Sequence, residues 1–207
     1  MVGRPKNPQR PSNQLTRLDS DVVTDTTVLW RIHRVGGPHA LPWNGFRAFG
    51  PLHTARFDPH PLPVGSHAGF GVIYAGHDMA TCVAEVFQGS RAVHAAPGMQ
   101  LAAWEPVRPL RLLDLTGGWA LRNGAAHSLF AAPRATCRAW SRAIHQAWTD
   151  VDGLLSPSTM TGRTVVTLFE RSVGSIPPRP QFARPLTNPY VWRVIADAAS
   201  EVGYGIH

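Results

Sequence analysis

The sequence is poor in features that would place it in several large classes of protein. It contains two cysteines, one lysine (Lys6) and no run of 18 apolar residues. The missing apolar run argues against a membrane-spanning helix, and the basic N-terminus lacks the apolar segment of a secretory signal. Cys82 and Cys137 fall among apolar residues in segments predicted to be helical. We therefore expect two buried free thiols rather than a disulfide, as in a cytoplasmic protein.

Common catalytic and metal-binding signatures are also missing. No glycine-rich GxGxxG turn joins a strand to a helix, which argues against a Rossmann dehydrogenase. No GxSxG elbow is present, so Ser156 and Ser158 are poor candidates for an acyl-transfer nucleophile. The histidines between residues 39 and 77 follow no repeated spacing and have no nearby cysteine or acidic pair, so we expect no metal site; they are His39, His53, His60, His67 and His77.

The charge of the chain is one-sided but diffuse. The formal net charge is +7, and 19 of the 20 basic residues are arginines spread along the whole chain. A basic balance favours nucleic-acid binding when it forms a patch. No dense basic run occurs here, so we expect no direct nucleic-acid binding. A basic binding module without catalysis stays as an alternative.

The length of 207 residues suits one domain with an extension. Residues 1–21 are rich in Pro, Asn, Gln and Arg and show no periodicity, which predicts a flexible basic N-terminal arm. Whether this arm is only solvated or grips a partner is left open. Residues 22–207 are predicted to form a single domain.

The most informative stretch is residues 71–87. Val72, Ile73 and Tyr74 are typical of a buried strand, and Asp78 stands where the N-cap of a helix is expected. The following residues show helical periodicity, with Glu85 beside the apolar stripe. A strand ending near Tyr74 and a helix carrying Glu85 could therefore line one cleft.

Other segments complete a mixed α and β pattern. A strand over residues 26–34 puts Arg31 and His33 on one face, which suggests a wet cleft that binds phosphate or carboxylate; an edge-strand arginine facing solvent is the alternative. Residues 153–160 and 164–169 are predicted to pair as a hairpin. Amphipathic helices are predicted over residues 133–148 and from 189 or 190 to 202.

One reaction class needs only a single carboxylate of this kind. Nicotinamide is a good leaving group, so cleaving it from NAD requires no general acid, and one carboxylate can stabilise the cationic ribose. An arginine would neutralise the phosphates, and an aromatic ring would stack on the nicotinamide. Arg31, Tyr74, Glu85 and a strand-end serine could supply these groups.

These residues also form an ordered set of motifs. The set comprises Leu29-Trp30-Arg31, Arg56-Phe57-Asp58-Pro59, Val72-Ile73-Tyr74-Ala75 with Glu85 eleven residues after Tyr74, and Pro157-Ser158. In this the chain resembles the RES-domain toxins of bacterial toxin–antitoxin systems, over about residues 28–167. It differs in having Phe57 and Asp58 where the family usually has tryptophan and asparagine.

The resemblance implies a one-domain, ADP-ribosyltransferase-like α+β fold with split antiparallel or mixed sheets flanked by helices. It implies a cytoplasmic enzyme that binds NAD and either depletes it by hydrolysis or phosphorolysis or transfers ADP-ribose to a protein. It also implies an Xre-type antitoxin as partner. Carried over, Arg31, Glu85 and Ser158 would be catalytic; Tyr74, Arg31, Arg56 and Ser156 would contact NAD. Which of the two serines is functional stays open.

Overall fold

The chain is organised around one eight-stranded sheet, seen in a computed structural model that describes residues 5–11, 14–94 and 97–207. The strands are β1 Val22–Asp25, β2 Leu29–Arg34, β3 Phe49–Gly50, β4 Gly65–Ser66, β5 Val72–Gly76, β6 Ala92–Val93, β7 Met99–Trp104, β8 Leu110–Asp114, β9 Gly153–Pro157, β10 Thr164–Phe169, β11 Phe182–Pro185 and β12 Gly205–Ile206. The α-helices are α1 Met79–Val86, α2 Trp119–Arg122, α3 Arg134–Ala147 and α4 Pro189–Glu201. Short 3-10 turns occupy Asp19–Asp21, His127–Ala131 and Glu170–Ser175.

The large sheet has the strand order β1-β8-β9-β10-β5-β2-β7-β11. All neighbouring pairs are antiparallel except β8 and β9, which are parallel. The predicted hairpin is confirmed, because β9 and β10 pair from Thr164 opposite Pro157 to Leu168 opposite Gly153. Two further pairs, β3 with β4 and β12 with β6, form small separate sheets. The fold is therefore mixed α+β, as expected.

The sheet is nearly split between β5 and β2. These two strands share one paired position, Trp30 opposite Gly76, whereas β2 pairs with β7 along its whole length. Beyond Trp30, the rest of β2 runs alongside the earlier part of β5 without ladder hydrogen bonds. Side chains from both strands can therefore reach the same gap.

Apolar side chains pack on both sides of the sheet. On one side α2 and α3 contribute Trp119 and Trp140, which meet edge to face with ring centroids 5.8 Å apart. On the same side Val83 of α1 and Ile195 of α4 pack together with Leu101 of β7. On the other side Ile73 packs with Trp104 and Leu112. Trp140, which lies in the amphipathic helix predicted over residues 133–148, is 0% exposed and belongs to the core.

Two of the helices, α1 and α4, begin at residues whose side chains cap them. The Asp78 carboxylate accepts a hydrogen bond from the backbone N–H of Thr81 at 2.7 Å, so Asp78 is the N-cap of α1 as predicted. Asn188 caps α4, which carries Pro189 in its first turn. Both Cys82 and Cys137 are buried free thiols, as expected. Across the three described ranges, no helix is long and apolar enough to cross a membrane.

Parts of the predicted N-terminal arm contact the domain. The indole N–H of Trp140 donates to the Pro8 carbonyl oxygen at 2.9 Å, and that of Trp119 donates to the Thr16 carbonyl oxygen at 3.0 Å. Arg17 forms an ion pair with Asp150 at 2.7 Å. The described part of the arm thus lies against α2 and α3. Residues 1–4 and 12–13 of the arm lie outside the described residues, and the division at residue 21 stays a prediction.

A buried histidine of α3 lies among aromatic side chains. His145 stacks on Phe70 with ring centroids 4.8 Å apart and meets Phe169 edge to face at 5.0 Å. Its Nε2 has no hydrogen-bond partner among the described residues. Burial, and then the nearby Arg171 charge, lower the pKa of His145 to about 4.

We expect this histidine to make the fold sensitive to acid. The unfolded chain takes up a proton on His145 near pH 6.5, whereas the folded chain does so only near pH 4. Its contribution to the free energy of unfolding is therefore complete above pH 6.5 and is lost as the pH falls towards 4, by at most about 3 kcal/mol. Urea unfolding of the wild type and of His145→Phe at pH 7 and pH 4.5 measures this. An equal loss in both proteins would contradict it.

Candidate active site

A cavity of about 390 Å³ lies at the gap between β2 and β5. Both strands line it, together with α1, β9, β10 and the loop before β4. The register places Thr167 opposite Tyr74 and Val165 opposite Ser156, so Tyr74, Thr167 and Ser156 share one face of the sheet. All three line the cavity, and Glu85 reaches it from α1. The predicted cleft between the Tyr74 strand and the Glu85 helix is therefore present.

Arg31 places a guanidinium group in this cavity without an acidic partner. Its Nη1 donates to the carbonyl oxygens of Trp43 at 2.6 Å and Gly45 at 3.4 Å. No ion pair among the described residues includes Arg31. Burial, and then the nearby charge of Arg47, lower the pKa of Arg31 to about 10. An anionic ligand would relieve both costs, because it would pair the buried cation and offset the repulsion.

Glu85 is held in place by Ser158. The Ser158 hydroxyl donates to Glu85 Oε1 at 2.6 Å, while its oxygen accepts hydrogen bonds from the backbone N–H groups of Met160 at 3.0 Å and Thr161 at 3.1 Å. This short bond to a carboxylate is charge-assisted. Because one oxygen of Glu85 is engaged, the carboxylate has a fixed orientation and its second oxygen can serve a ligand.

The two candidate serines occupy different places. Ser156 is 2% exposed and lies on the cavity wall, whereas Ser158 is 3% exposed, does not line the cavity and contacts Glu85. A ligand would meet Ser156 directly and Ser158 only through Glu85. The geometry thus gives each serine a separate role.

Arg56 lines the cavity but is partly engaged elsewhere. Its Nη1 donates to the Ala132 carbonyl oxygen at 2.6 Å and lies 3.8 Å from Cys137 Sγ. A guanidinium has five N–H donors, so other donors of Arg56 can still serve a ligand. Arg56 is therefore both an anchor to the segment before α3 and a candidate phosphate contact.

The position of the Arg56 loop is fixed by α3. Arg142 donates to the His60 carbonyl oxygen at 2.6 and 2.9 Å, and the Ser141 hydroxyl donates to the Phe57 carbonyl oxygen at 2.7 Å. Arg138 reaches three further carbonyl oxygens of the same loop. The sequence predicted these arginines only as the polar face of the helix. They instead hold the irregular loop against it.

The structure adds a buried polar group behind Tyr74 that sequence reasoning missed. The Tyr74 hydroxyl donates to Asp58 Oδ1 at 2.7 Å, and Arg47 Nη2 donates to the same oxygen at 2.6 Å. Burial, and then the Asp58 charge, raise the pKa of Tyr74 well above its usual value. Tyr74 therefore stays neutral at physiological pH and forms a wall of the cavity rather than a proton-transfer group.

The cavity is strongly cationic. Five arginines line it against one carboxylate, Glu85; they are Arg31, Arg34, Arg47, Arg56 and Arg134. Sequence reasoning singled out only Arg31 and Arg56, because these two belong to the ordered set of motifs and Arg34, Arg47 and Arg134 do not. This excess of positive charge favours an anionic ligand.

Two polar atoms at the wall lack partners. His33 Nε2 and Thr167 Oγ1 are buried without a hydrogen bond to any described residue. His33 Nδ1 lies 3.1 Å from the Leu41 carbonyl oxygen, so Nδ1 carries the proton and Nε2 is an acceptor. Both atoms are enclosed by protein and Gln100 interacts with the His33 ring, so neither atom is open to a ligand in the cavity.

Cys82 lines the same cavity but is a poor nucleophile. Its thiol donates to the Trp30 carbonyl oxygen at 3.1 Å. Burial raises the pKa of Cys82 to about 12, so the thiolate is scarce at neutral pH. Within the described ranges, no group of three or more His, Cys, Asp or Glu side chains could hold a metal ion.

Comparisons with known proteins show the family to which the chain belongs. The family model described as the RES domain matches residues 28–188, which is most of the chain. The chain belongs to the RES domain family. The match covers Arg31, Arg56, Tyr74, Glu85 and Ser158.

The fold of this RES domain is also seen in a solved structure. The chain described here matches a chain in the crystal structure of the M. tuberculosis MbcT–MbcA toxin–antitoxin complex, with a TM-score of 0.56 and 18% sequence identity. The match covers 84% of this chain and 92% of that chain. At this identity the likeness shows a shared fold. A search of curated proteins finds no match.

Proposed function

We propose that this RES domain is the toxin of a toxin–antitoxin system and that it binds NAD and cleaves the bond between nicotinamide and ribose. The observation that carries the proposal is the Glu85 carboxylate, fixed by Ser158 at 2.6 Å, beside a cavity lined by five arginines. NAD combines an anionic diphosphate with a ribose that becomes cationic during cleavage. The arginines of the cavity are opposite in charge to the diphosphate, and Glu85 is opposite in charge to the cationic ribose.

The phosphates would be bound by Arg31, with Arg56 as a second contact. Arg31 is a buried cation that forms no ion pair with a described acidic residue, and its planar fork suits a phosphate. Tyr74, on the face shared with Ser156, would stack on the nicotinamide ring. Ser156 would then orient the ribose or the carboxamide.

Cleavage would proceed by loss of nicotinamide with the electron pair of the C1′–N bond. The positive charge on the pyridinium ring is thereby cancelled, so no general acid is required. The ribose gains positive charge, and Glu85 stabilises it while accepting a hydrogen bond from the 2′-hydroxyl. An acceptor oxygen then bonds to C1′ and loses its proton.

The acceptor decides the class of enzyme. Water would make the protein an NAD glycohydrolase, phosphate an NAD phosphorylase and a protein side chain an ADP-ribosyltransferase. The same cavity serves all three, since Glu85 acts before the acceptor arrives.

A basic binding module without catalytic activity is the alternative from another functional class, and the net charge of +7 motivates it.

The proposed partner is an Xre-type antitoxin protein that covers the cavity in the cytoplasm. The matched solved structure is a toxin–antitoxin complex. A cationic cavity of this size would need to be closed in a resting cell, because free NAD would otherwise be consumed.

The proposal is tested by following NAD and released nicotinamide with purified protein, with and without phosphate. We expect NAD to disappear with equimolar release of nicotinamide, and a faster rate with phosphate would identify a phosphorylase. If no nicotinamide is released, with or without a cell extract as a source of acceptor protein, the enzyme proposal is wrong. Nucleic-acid binding that falls steeply with salt would then support the binding module.

A further inference from the structure

Asp58 is a buried carboxylate whose hydrogen-bond donors include the aromatic wall of the cavity. It is 0% exposed and does not line the cavity. Its Oδ1 accepts from Tyr74 at 2.7 Å and Arg47 at 2.6 Å, and its Oδ2 accepts from the backbone N–H of Leu52 at 2.8 Å. Because it is enclosed by these groups, Asp58 can influence a ligand only through them.

A buried ionised carboxylate is costly, so its presence needs a reason. Taking a carboxylate out of water costs several kcal/mol, roughly, and an apolar side chain of similar size often gives equal or greater stability. The neighbours of Tyr74 along β5 are the apolar Ile73 and Ala75. A phenylalanine could fill the place of Tyr74 in this strand without any polar partner.

The bond to Asp58 controls the orientation of the Tyr74 ring. The ring is attached to β5 at its Cβ and is tied at its far end to Asp58 Oδ1. A rotation of the side chain about χ1 would break that hydrogen bond. The two attachments therefore fix the axis along which the Tyr74 ring lies in the cavity wall, and the packing of its neighbours sets the rotation of the ring about that axis.

Asp58 also connects this ring to a rigid part of the fold. The Phe57 carbonyl oxygen, one residue before Asp58, accepts from Ser141 of α3 at 2.7 Å. The His60 carbonyl oxygen, two residues after it, accepts from Arg142 at 2.6 Å. The carboxylate is thus held from α3, on the opposite side from β5.

We propose that Asp58 is a positioning residue, which holds the axis of the Tyr74 side chain in the place needed for the ring to stack on the nicotinamide of the bound dinucleotide. That the stacked ring is nicotinamide rests on the proposed function. The two substitutions Asp58→Asn and Tyr74→Phe remove the charge and the hydroxyl from opposite ends of one contact. If they act through that contact, their effects should not add.

The test is a double-mutant cycle on NAD turnover. We expect kcat/KM to fall roughly 10-fold in Asp58→Asn and in Tyr74→Phe, and the double variant to be no worse than the weaker single variant. Effects that multiply in the double variant would overturn the proposal. If Asp58→Asn fails to fold, Tyr74→Phe alone decides, because it keeps the Asp58–Arg47 pair; wild-type kcat/KM in that variant would also overturn it.

A second measurement needs no NAD and separates this proposal from the proposed function. The chain has three tyrosines, so 3-fluorotyrosine labelling gives three ¹⁹F resonances, and Tyr74→Phe identifies that of Tyr74. We expect Asp58→Asn to shift or broaden the Tyr74 resonance while leaving those of Tyr190 and Tyr204 in place. An unchanged Tyr74 resonance would overturn the positioning role, whether or not the wild type consumes NAD.

Discussion

Glu85→Gln is expected to abolish most NAD turnover while leaving the fold intact. Glutamine has the same shape and its Oε1 can still accept the Ser158 hydroxyl, which lies 2.6 Å away in the wild type. It lacks the negative charge that stabilises the cationic ribose. Loss of one preorganised electrostatic contact of this kind lowers kcat by about 100- to 1,000-fold. The measurement is the rate of nicotinamide release at saturating NAD.

A matched carboxylate provides the control. Glu201 pairs with Arg163 at the surface and lies outside the cavity, so Glu201→Gln should keep wild-type turnover. Ser158→Ala should fall between the two variants, because Glu85 keeps its charge but loses its fixed orientation. Turnover in Glu85→Gln equal to that of Glu201→Gln would show that Glu85 is not the catalytic carboxylate.

Residues in regular elements could be located from the sequence. Asp78 was recognised as a cap, and Tyr74 and Glu85 were placed on a strand and a helix at the same cleft, because alternation and helical periodicity reveal which face is buried. The β9–β10 hairpin followed from two short apolar runs around a turn. In each case the decisive signal lies within a short, continuous stretch of chain.

The rest depends on contacts that no local pattern encodes. Asp58 meets Tyr74 because the intervening irregular loop is held to α3 by Ser141 and Arg142, and a helical arginine gives no sign that a distant carbonyl oxygen will accept its N–H. The edge strand β11 lies in a proline-rich passage, where proline is tolerated because one side of an edge strand needs no ladder bonds.

The two serines show the same limit at the scale of one turn. Ser156 and Ser158 are two residues apart, so strand alternation would place both on the same face. Strand β9 ends at Pro157, however, and Ser158 belongs to a turn in which its oxygen accepts two backbone N–H groups. The sequence did not locate the end of this strand. That end separates Ser156, which lines the cavity, from Ser158, which supports Glu85.

Arg31→Gln is expected to weaken NAD binding roughly 30-fold or more. Glutamine can still donate to the Trp43 carbonyl oxygen, which accepts from Arg31 at 2.6 Å, but it carries no charge for the diphosphate. Removing one partner of a buried charged contact costs about 2–5 kcal/mol, and 2 kcal/mol corresponds to roughly a 30-fold change in Kd. The measurement is NAD affinity by calorimetry in the Glu85→Gln background, where turnover does not interfere.

The same substitution should not lower the stability of the free protein. Arg31 is a cation without an acidic partner, and burial together with Arg47 lowers its pKa to about 10. Removing that charge relieves the cost of burial and the repulsion from Arg47, so thermal unfolding of Arg31→Gln should occur at or above the wild-type temperature.

Arg111→Gln, which removes an exposed arginine paired with Asp150, is the control and should leave NAD affinity unchanged. Weaker NAD binding accompanied by a large loss of stability would mean that Arg31 supports the loop at Trp43 rather than the ligand. Unchanged affinity in Arg31→Gln would mean that the diphosphate is bound elsewhere in the cavity.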